Sequence, residues 1–356
     1  MTCISIDSPD HSFICENYIV THNTSTIIAA AEENKFGNTV LLTFTNKAAE
    51  EMISRLSYKP NYVGTIHGFA KRELLRLAQI YNFRVRLMKQ SSTKKIIQLI
   101  FEENDFGIYV SNVLLNEAYH YIVNTDVEFS SRKTKIFQEV RKLYNLYKEQ
   151  NQLYDFTDTP KYLLKKLQDY DIYLENDLVL VDEAQDLDET QYNLIQRLGR
   201  RIIAIGDPRQ SIYIFRGATH EIFDKFITDG YELHTLDINY RSKEEVLINA
   251  GLQIYAERGR GGSVINSSEI FKYGPQILVR TNKELDEIKK FYPSVMTVHA
   301  AKGLEFNNVC VIDFNVDDEE DENIMFVALT RAKDRIGVIK FTDALNYLSK
   351  EYTYET

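Results

Sequence analysis

The chain has 356 residues, a formal net charge of −10, and 44% hydrophobic against 26% charged residues. This length can bury more than one core, and the composition is typical of a globular protein rather than a disordered or fibrous one. The sequence has no apolar run near the about 20 residues of a membrane span, no signal peptide, and no paired spacing among its three cysteines, so we expect a cytoplasmic protein without disulfides or zinc. The acidic balance argues weakly against nucleic-acid binding but leaves room for a basic groove.

Residues 1–23 do not read like the rest of the chain. They contain no glycine, alternate apolar and polar residues like two short strands, and read MTCISIDSPDHSFICENYIVTHN. This segment resembles the carboxyl end of an intein, a self-splicing insert that ends in His-Asn before Ser, Thr or Cys. The splicing residues implied by the resemblance are Cys3, His11, His22, Asn23 and Thr24. In that chemistry His22 assists cyclisation of Asn23, and the Thr24 hydroxyl is the nucleophile of the retained chain.

The next stretches predict helices and strands. Residues 24–31 (TSTIIAAA) read as the start of a helix, and residues 39–45 (TVLLTFT) read as a strand followed by a helix over 46–56. Residues 80–151 are rich in Tyr, Lys and Asn with apolar residues at helical spacing, which predicts a helical insertion.

Two apolar runs in the middle of the chain end on polar residues. The run 178–181 (LVLV) ends on Asp182 and Glu183, and the run 202–205 (IIAI) leads to Gln210. Open α/β sheets bind ligands at the carboxyl ends of their strands. One carboxylate there can hold Mg²⁺ while its neighbour activates the water that attacks a γ-phosphate, which Gln210 could also contact. An Asp-Glu pair alone could equally be a solvated strand end.

The spacing of DEAQD and GDPRQSIYIFRGA resembles motifs II and III of the superfamily 1 DNA helicases of the UvrD/Rep type. Further stretches match the family's motifs Ia, Ib, IV, V and VI in order: TFTNKAAEEM, VGTIHGFAKR, LDINYRSKEEVLINA, VMTVHAAKGLEFNNVCVID and NIMFVALTRAK. The resemblance implies an α/β fold with two RecA-like domains. The implied division is domain 1A over 24–79 and 152–220, helical domain 1B over 80–151, and domain 2A over 221–356. Domain 2B is expected to be absent, because the strand at 276–282 is followed almost directly by motif V.

The resemblance assigns ATP and Mg²⁺ as cofactors and names residues for them. The catalytic residues are Asp182, Glu183, Gln210, Arg241 and Arg331. The nucleotide-binding residues are Thr24, Arg216, Tyr240, Gly303 and Glu305, and the metal ligands are Thr24 and Asp182. Tyr240 would stack on adenine, Glu305 would accept from the ribose hydroxyl, and both arginines would reach the γ-phosphate. For Arg241 alone, a surface ion pair is the alternative.

A second set of residues is assigned to DNA by the same resemblance. The base-stacking residues are Phe44, Tyr213 and Phe215, and the backbone contacts are Thr65, His67, Thr297 and His299. For Phe44, a place in the hydrophobic core is the alternative.

The sequence lacks one part of a nucleotide site. A phosphate-binding loop reads GxxxxGK[ST], yet the chain has no Gly-Lys pair and its first glycine is Gly37. Thr24 stands where the final Thr of that loop would precede its helix. We therefore expect an intein between Lys and Thr, with the Gly-Lys, the first strand and the upstream intein part on another polypeptide or outside this reading frame.

The expected function is an ATP-dependent translocase with 3′ to 5′ polarity, acting on single-stranded DNA and duplex junctions, with no membrane partner. Two alternatives stay open: a fragment that binds single-stranded DNA without ATPase activity, and an unspliced trans-splicing precursor. A terminase-type ATPase would not carry motifs IV and VI in this form.

Overall fold

A computed structural model describes residues 13–15, 23–35, 37–123, 131–212, 222–236 and 238–352. The strands are β1 (Phe13–Cys15), β2 (Thr39–Thr43), β3 (Tyr62–Thr65), β4 (Leu178–Val181), β5 (Ile202–Ile205), β6 (Glu232–His234), β7 (Ile238–Asn239), β8 (Tyr255–Ala256), β9 (Ser263–Val264), β10 (Gln276–Val279), β11 (Val295–Thr297), β12 (Phe306–Ile312) and β13 (Ala332–Ile339). The helices are α1 (Asn23–Glu33), α2 (Asn46–Arg55), α3 (Ile66–Ile80), α4 (Gln90–Glu103), α5 (Asn112–Val123), α6 (Ser131–Asn151), α7 (Thr159–Asp169), α8 (Glu189–Ile195), α9 (Ile222–Thr228), α10 (Glu244–Asn249), α11 (Asn282–Ile288), α12 (Val298–Ala301), α13 (Glu319–Leu329) and α14 (Phe341–Tyr352). None of these described helices has the length and apolar content needed to span a bilayer.

The first sheet is parallel throughout, with strand order β3-β2-β4-β5-β1-β6. Successive residues of β4 point to opposite faces, so Val179 and Val181 pack with α3, α7 and α8. Leu178 and Leu180 pack with α1 and α2 on the other face. Helices on both faces explain why the strand is apolar without alternation. The predicted α/β class is confirmed by this sheet and by the second one described below.

Strand β1 comes from residues 1–23, the segment that resembles an intein end. It lies between β5 and β6 and pairs in parallel with both. A strand in this position satisfies backbone groups of two neighbouring strands at once. Of the proposed splicing residues, Cys3, His11 and His22 lie outside the described residues, and only the backbone of Asn23 is described.

The first domain extends further along the chain than expected. Helix α9 buries Ile222, Phe223 and Phe226 in the core that covers one face of the first sheet. Strand β6 pairs with β1 at the edge of that sheet. The expected division places these residues at the start of domain 2A; in the structure α9 packs on the first sheet and β6 forms its edge.

Helices α4, α5 and α6 form a separate helical unit with its own core. Its buried residues include Ile97, Phe101, Ala118, Phe137 and Val140. A buried polar cluster joins the unit to the first domain: Lys148 Nζ donates to Asp155 (2.9 Å) and to Asp158 (2.7 Å). These helices lie inside the stretch 80–151 that was predicted to be a helical insertion.

The second sheet has strand order β11-β10-β12-β13-β9 and is also parallel. Along β12, Val309 and Val311 pack with α12 and α13, whereas Cys310 and Ile312 pack with α11 and α14. Each domain is therefore a parallel sheet with helices on both faces. Strands β7 and β8 form a separate two-stranded pair.

Candidate nucleotide site and nucleic-acid interface

The carboxylates predicted to hold Mg²⁺ and activate water stand at the carboxyl end of β4. Asp182 is 4% exposed and Glu183 is half-buried. Burial raises the pKa of Asp182 well above its usual range, and the neighbouring Glu183 raises it further. In the described part of the chain, no salt bridge reaches Asp182. A buried carboxylate in this environment fits a divalent cation with oxygen ligands.

Gln210 lies in a one-turn helix that follows β5. Its Nε2 donates to Asp207 Oδ2 (3.2 Å), and its Oε1 accepts from Arg331 Nη2 (3.1 Å). Gln210 comes from the first domain and Arg331 from the second. Two residues expected at the γ-phosphate are therefore in direct contact across the domain cleft.

Arg331 is held by several acceptors and is only 1% exposed. Besides Gln210, it donates to the carbonyl oxygens of Val327 (3.0 Å) and Leu304 (3.3 Å). Burial, together with the positive charge of Arg241, lowers the pKa of Arg331 to about 9. Because the charge of Arg241 disfavours the charged form of Arg331, an anion bound beside Arg331 would be stabilised.

Arg241 is paired with Glu305 in the second domain. Its Nε lies 2.9 Å from Glu305 Oε2, and the other oxygen of Glu305 contacts Lys333. Burial works to raise the pKa of Glu305, but the hydrogen bond from Lys333 and the charge of Arg241 outweigh it and the pKa is lowered. Tyr240, next to Arg241 in the sequence, is 49% exposed. Gly303 has φ +78°, a left-handed conformation that favours glycine.

The two domains also meet through a buried ion pair. Lys302 Nζ lies 2.7 and 2.5 Å from the two oxygens of Asp186 and donates to the Gln210 carbonyl oxygen (2.8 Å). Asn323 Nδ2 donates to the Ser211 carbonyl oxygen (3.1 Å). Ile212, which follows directly, is fully buried in the core of the second domain.

Four of the residues expected to contact DNA lie at equivalent strand-to-helix junctions, one in each domain. Thr65 ends β3 and caps α3 by accepting from Gly68 N–H, and Thr297 ends β11 and caps α12 by accepting from Ala300 N–H. Both belong to a Thr-x-His sequence at the end of an outer strand of a sheet. His67 stacks on the half-exposed ring of Phe156, with ring centroids 5.7 Å apart.

For the remaining predicted site residues, the structure shows no polar contact that bears on the site, or the residue lies outside the described part of the chain. Phe44 is half-buried and packs against the first core, so the core alternative accounts for part of its surface. Thr24 lies in the first turn of α1, which packs on β4 through Ile27 and Ala31. Tyr213, Phe215 and Arg216 lie outside the described residues.

Replacing Thr65 with Ala is expected to lower the free energy of unfolding by about 1 kcal/mol, because Gly68 N–H loses its acceptor. Urea unfolding of the chain measures the change. Thr65→Ser is the matched control, since it keeps the hydroxyl and removes only a methyl group. An equal loss in both variants would contradict the capping role.

Several residues of the site had no individual signal in the sequence. Gln185, Asp186, Lys302 and Lys333 were not singled out, although they contact Glu183, Gln210 and Glu305. Gln185 and Asp186 belong to the DEAQD stretch, so the only available signal was their place in that motif. Lys302 directly precedes Gly303, and Lys333 lies two positions after Arg331, so their only signal was nearness to predicted site residues.

Comparison with known proteins identifies the family. Residues 18–230 match the UvrD/REP helicase N-terminal domain, and residues 294–339 match the UvrD-like helicase C-terminal domain. The first match covers more than half of the chain, and the chain therefore belongs to the UvrD/REP helicase family. The match begins at residue 18, inside the segment that resembles an intein end.

Three curated relatives illustrate the similarity. The probable DNA helicase II homolog of Mycoplasma capricolum is 28% identical over 239 residues, covering 58% of this chain and 33% of the relative. The ATP-dependent DNA helicase Rep of Buchnera aphidicola is 28% identical over 312 residues (77% and 46%), and the DNA helicase II of Escherichia coli is 31% identical over 253 residues (62% and 34%). The chain spans between a third and a half of the length of these relatives.

Proposed function

We propose that this chain is the motor part of an ATP-dependent helicase that moves along single-stranded DNA. The observation that carries the proposal is the contact between Gln210 and Arg331, which come from different domains, with Arg331 close enough to Glu183 to feel its charge. A cleft closed by such a contact suits a reaction in which the nucleotide draws two domains together.

In this proposal Glu183 takes a proton from the attacking water, and Gln210 and Arg331 contact the γ-phosphate. Arg241 leaves Glu305 for the phosphate, and Glu305 is then free for the ribose hydroxyl. Tyr240, whose side chain is half exposed, stacks on the adenine. Bound Mg²⁺, held by Asp182 and Thr24, would offset the negative charge of the phosphates.

The proposed DNA path crosses both domains. Thr65 and His67 would contact the strand from the first domain, and Thr297 and His299 from the second. Such backbone contacts, with aromatic stacking by Phe44, Tyr213 and Phe215, tolerate any sequence. The same proposal includes 3′ to 5′ polarity, action on duplex junctions and a cytoplasmic location. It also includes the 1A, 1B and 2A domain assignments and the absence of domain 2B.

We further propose that the phosphate loop is completed by protein splicing. Thr24 lies in the first turn of the helix that would follow such a loop, and His22-Asn23 directly precede Thr24 in the sequence, as they would at an intein end. An upstream polypeptide would then supply the Gly-Lys and the amino-terminal intein part. The joined product would be the working ATPase.

A second candidate is that the chain persists as written and binds single-stranded DNA without hydrolysing ATP. Two observations favour it: β1 pairs within the first sheet, and the family match already begins at residue 18. Both are features of the unspliced chain.

Mass spectrometry of the native protein after digestion with a Glu-specific protease separates the two candidates. Cleavage after Glu16 and Glu32 releases residues 17–32 from the unspliced chain. Splicing replaces this peptide with one that runs from an upstream Gly-Lys into residues 24–32. The peptide 34–50 is common to both forms and is the internal standard. Recovery of the 17–32 peptide alone would contradict splicing. The second candidate, a chain that binds single-stranded DNA without ATPase activity, would then stand.

A further inference from the structure

Gln185 joins the ends of two neighbouring strands of the first sheet. It is 1% exposed and lies two residues after Glu183. Its Nε2 donates to Glu183 Oε2 (2.5 Å), and its Oε1 accepts from Asp207 N–H (3.1 Å). One side-chain amide therefore connects the carboxylate after β4 with the backbone after β5.

The space for this amide depends on Gly206. A Cβ placed on Gly206 would lie 2.1 Å from Gln185 Oε1, a distance too short for any side chain. Gly206 does not have a positive φ, so backbone conformation is not the reason for a glycine here. The missing side chain is what allows Gln185 to reach Asp207 N–H.

Glu183 needs such support because its backbone is strained. Its φ of +53° lies in the left-handed region, which a residue with a Cβ adopts at a cost of about 1 to 3 kcal/mol. Such a conformation persists only where the surroundings fix it. Gln185 is itself fixed at its backbone, because Ser211 Oγ donates to its carbonyl oxygen (3.3 Å).

We infer that Gln185 is a positioning residue for ATP hydrolysis, which orients the Glu183 carboxylate and ties it to the segment that carries Gln210. The inference rests on the proposed function, in which Glu183 activates the attacking water. With one carboxylate oxygen held by the amide, the other is free to face the water. Gln185 itself touches neither nucleotide nor metal in this arrangement.

The test uses the completed enzyme with its native upstream part. Gln185→Ala is expected to lower kcat for ATP about 10- to 100-fold, because a carboxylate displaced by about 1 Å is a poor base. KM for ATP should stay within about twofold, since the residues that bind the nucleotide are unchanged. If Gln185 were needed only for folding, its replacement would lower the amount of active enzyme. Once the rate is divided by the titrated concentration of active sites, kcat would then be unchanged.

Two further variants sharpen the test. Gly206→Ala introduces the Cβ that displaces the Gln185 amide, so it should reproduce the loss of kcat with Gln185 still present. In the double variant Gln185→Ala, Gly206→Ala the loss should be smaller than the product of the single losses, because both changes remove one contact. Gln191→Ala is the matched control: Gln191 is also a buried glutamine, but it caps α8 and lies outside the site.

Amide hydrogen exchange on the chain as written tests the contact without hydrolysis. Asp207 N–H should exchange faster in Gln185→Ala than in the unchanged chain, because its acceptor is gone. Faster exchange with an unchanged kcat would overturn the positioning role, as would an equal loss of kcat in Gln191→Ala. A completed but unsubstituted enzyme with no ATPase activity would instead overturn the proposed function, and the inference with it.

Discussion

Replacing Glu183 with Gln in the completed enzyme is expected to lower ATP turnover by about 10²- to 10⁴-fold, the usual contribution of a general base. The substituted side chain would keep the size and position of the original but could not accept a proton. ATP affinity should be retained, because the arginines, Tyr240 and Asp182 are untouched. Steady-state ATPase assays with saturating single-stranded DNA measure turnover, and titration with a fluorescent ATP analogue measures binding.

The matched control is Glu189→Gln, the same change at an exposed position six residues along the chain. Its ion pair with Lys225 is exposed to solvent, so little effect is expected. Turnover that survives in Glu183→Gln at more than about a tenth of the original rate would sink the assignment of Glu183 as the base. Loss of ATP binding in the same variant would point to a structural role instead.

Replacing Lys302 with Met is expected to cost about 3 to 5 kcal/mol of stability, because it leaves Asp186 buried without its partner. Lys302 and Asp186 are 7% and 1% exposed at their side chains, so solvent screens the pair little. Burial raises the pKa of Asp186 to about 7, although Lys302 acts in the opposite direction. Urea unfolding at pH 8, where Asp186 is ionised in the folded state, measures the loss.

Two variants complete this experiment. Lys302→Met combined with Asp186→Leu removes both charges and should recover much of the stability, since the unpaired buried carboxylate is the main cost. Lys283→Met is the surface control, because Lys283 is exposed on α11, and a change within about 0.5 kcal/mol is expected. A double variant no more stable than Lys302→Met would contradict the ion-pair explanation.

The sequence predicted the fold class because the signals were local. The apolar runs that form β4 and β5 end on polar groups, and an apolar run ending in that way indicates a parallel strand whose tip faces a ligand. The positions of Asp182, Glu183 and Gln210 follow from the same local pattern. The sequence of α9 gives no sign of which sheet covers its apolar face, so the contact of α9 with the first sheet could not be predicted.

The rest of the site depends on contacts between distant parts of the chain. Lys302 meets Asp186 across 116 positions, and Arg331 meets Gln210 across 121. No spacing rule relates such residues, because their proximity arises only when the two sheets pack together. Gln185 is close in sequence to Glu183, but its role depends on the absence of a side chain at Gly206, which only the packed structure reveals.

The burial of Ile212 in the second domain has a mechanical consequence. The segment 207–212 begins just after β5 and ends with Ile212 inside the core of the second domain. It is therefore a short connection between the two domains. A rotation of the second domain is expected to move Ile212 and, through this short connection, Gln210. In the proposed motor, opening between the two domains and movement of Gln210 should therefore be coupled.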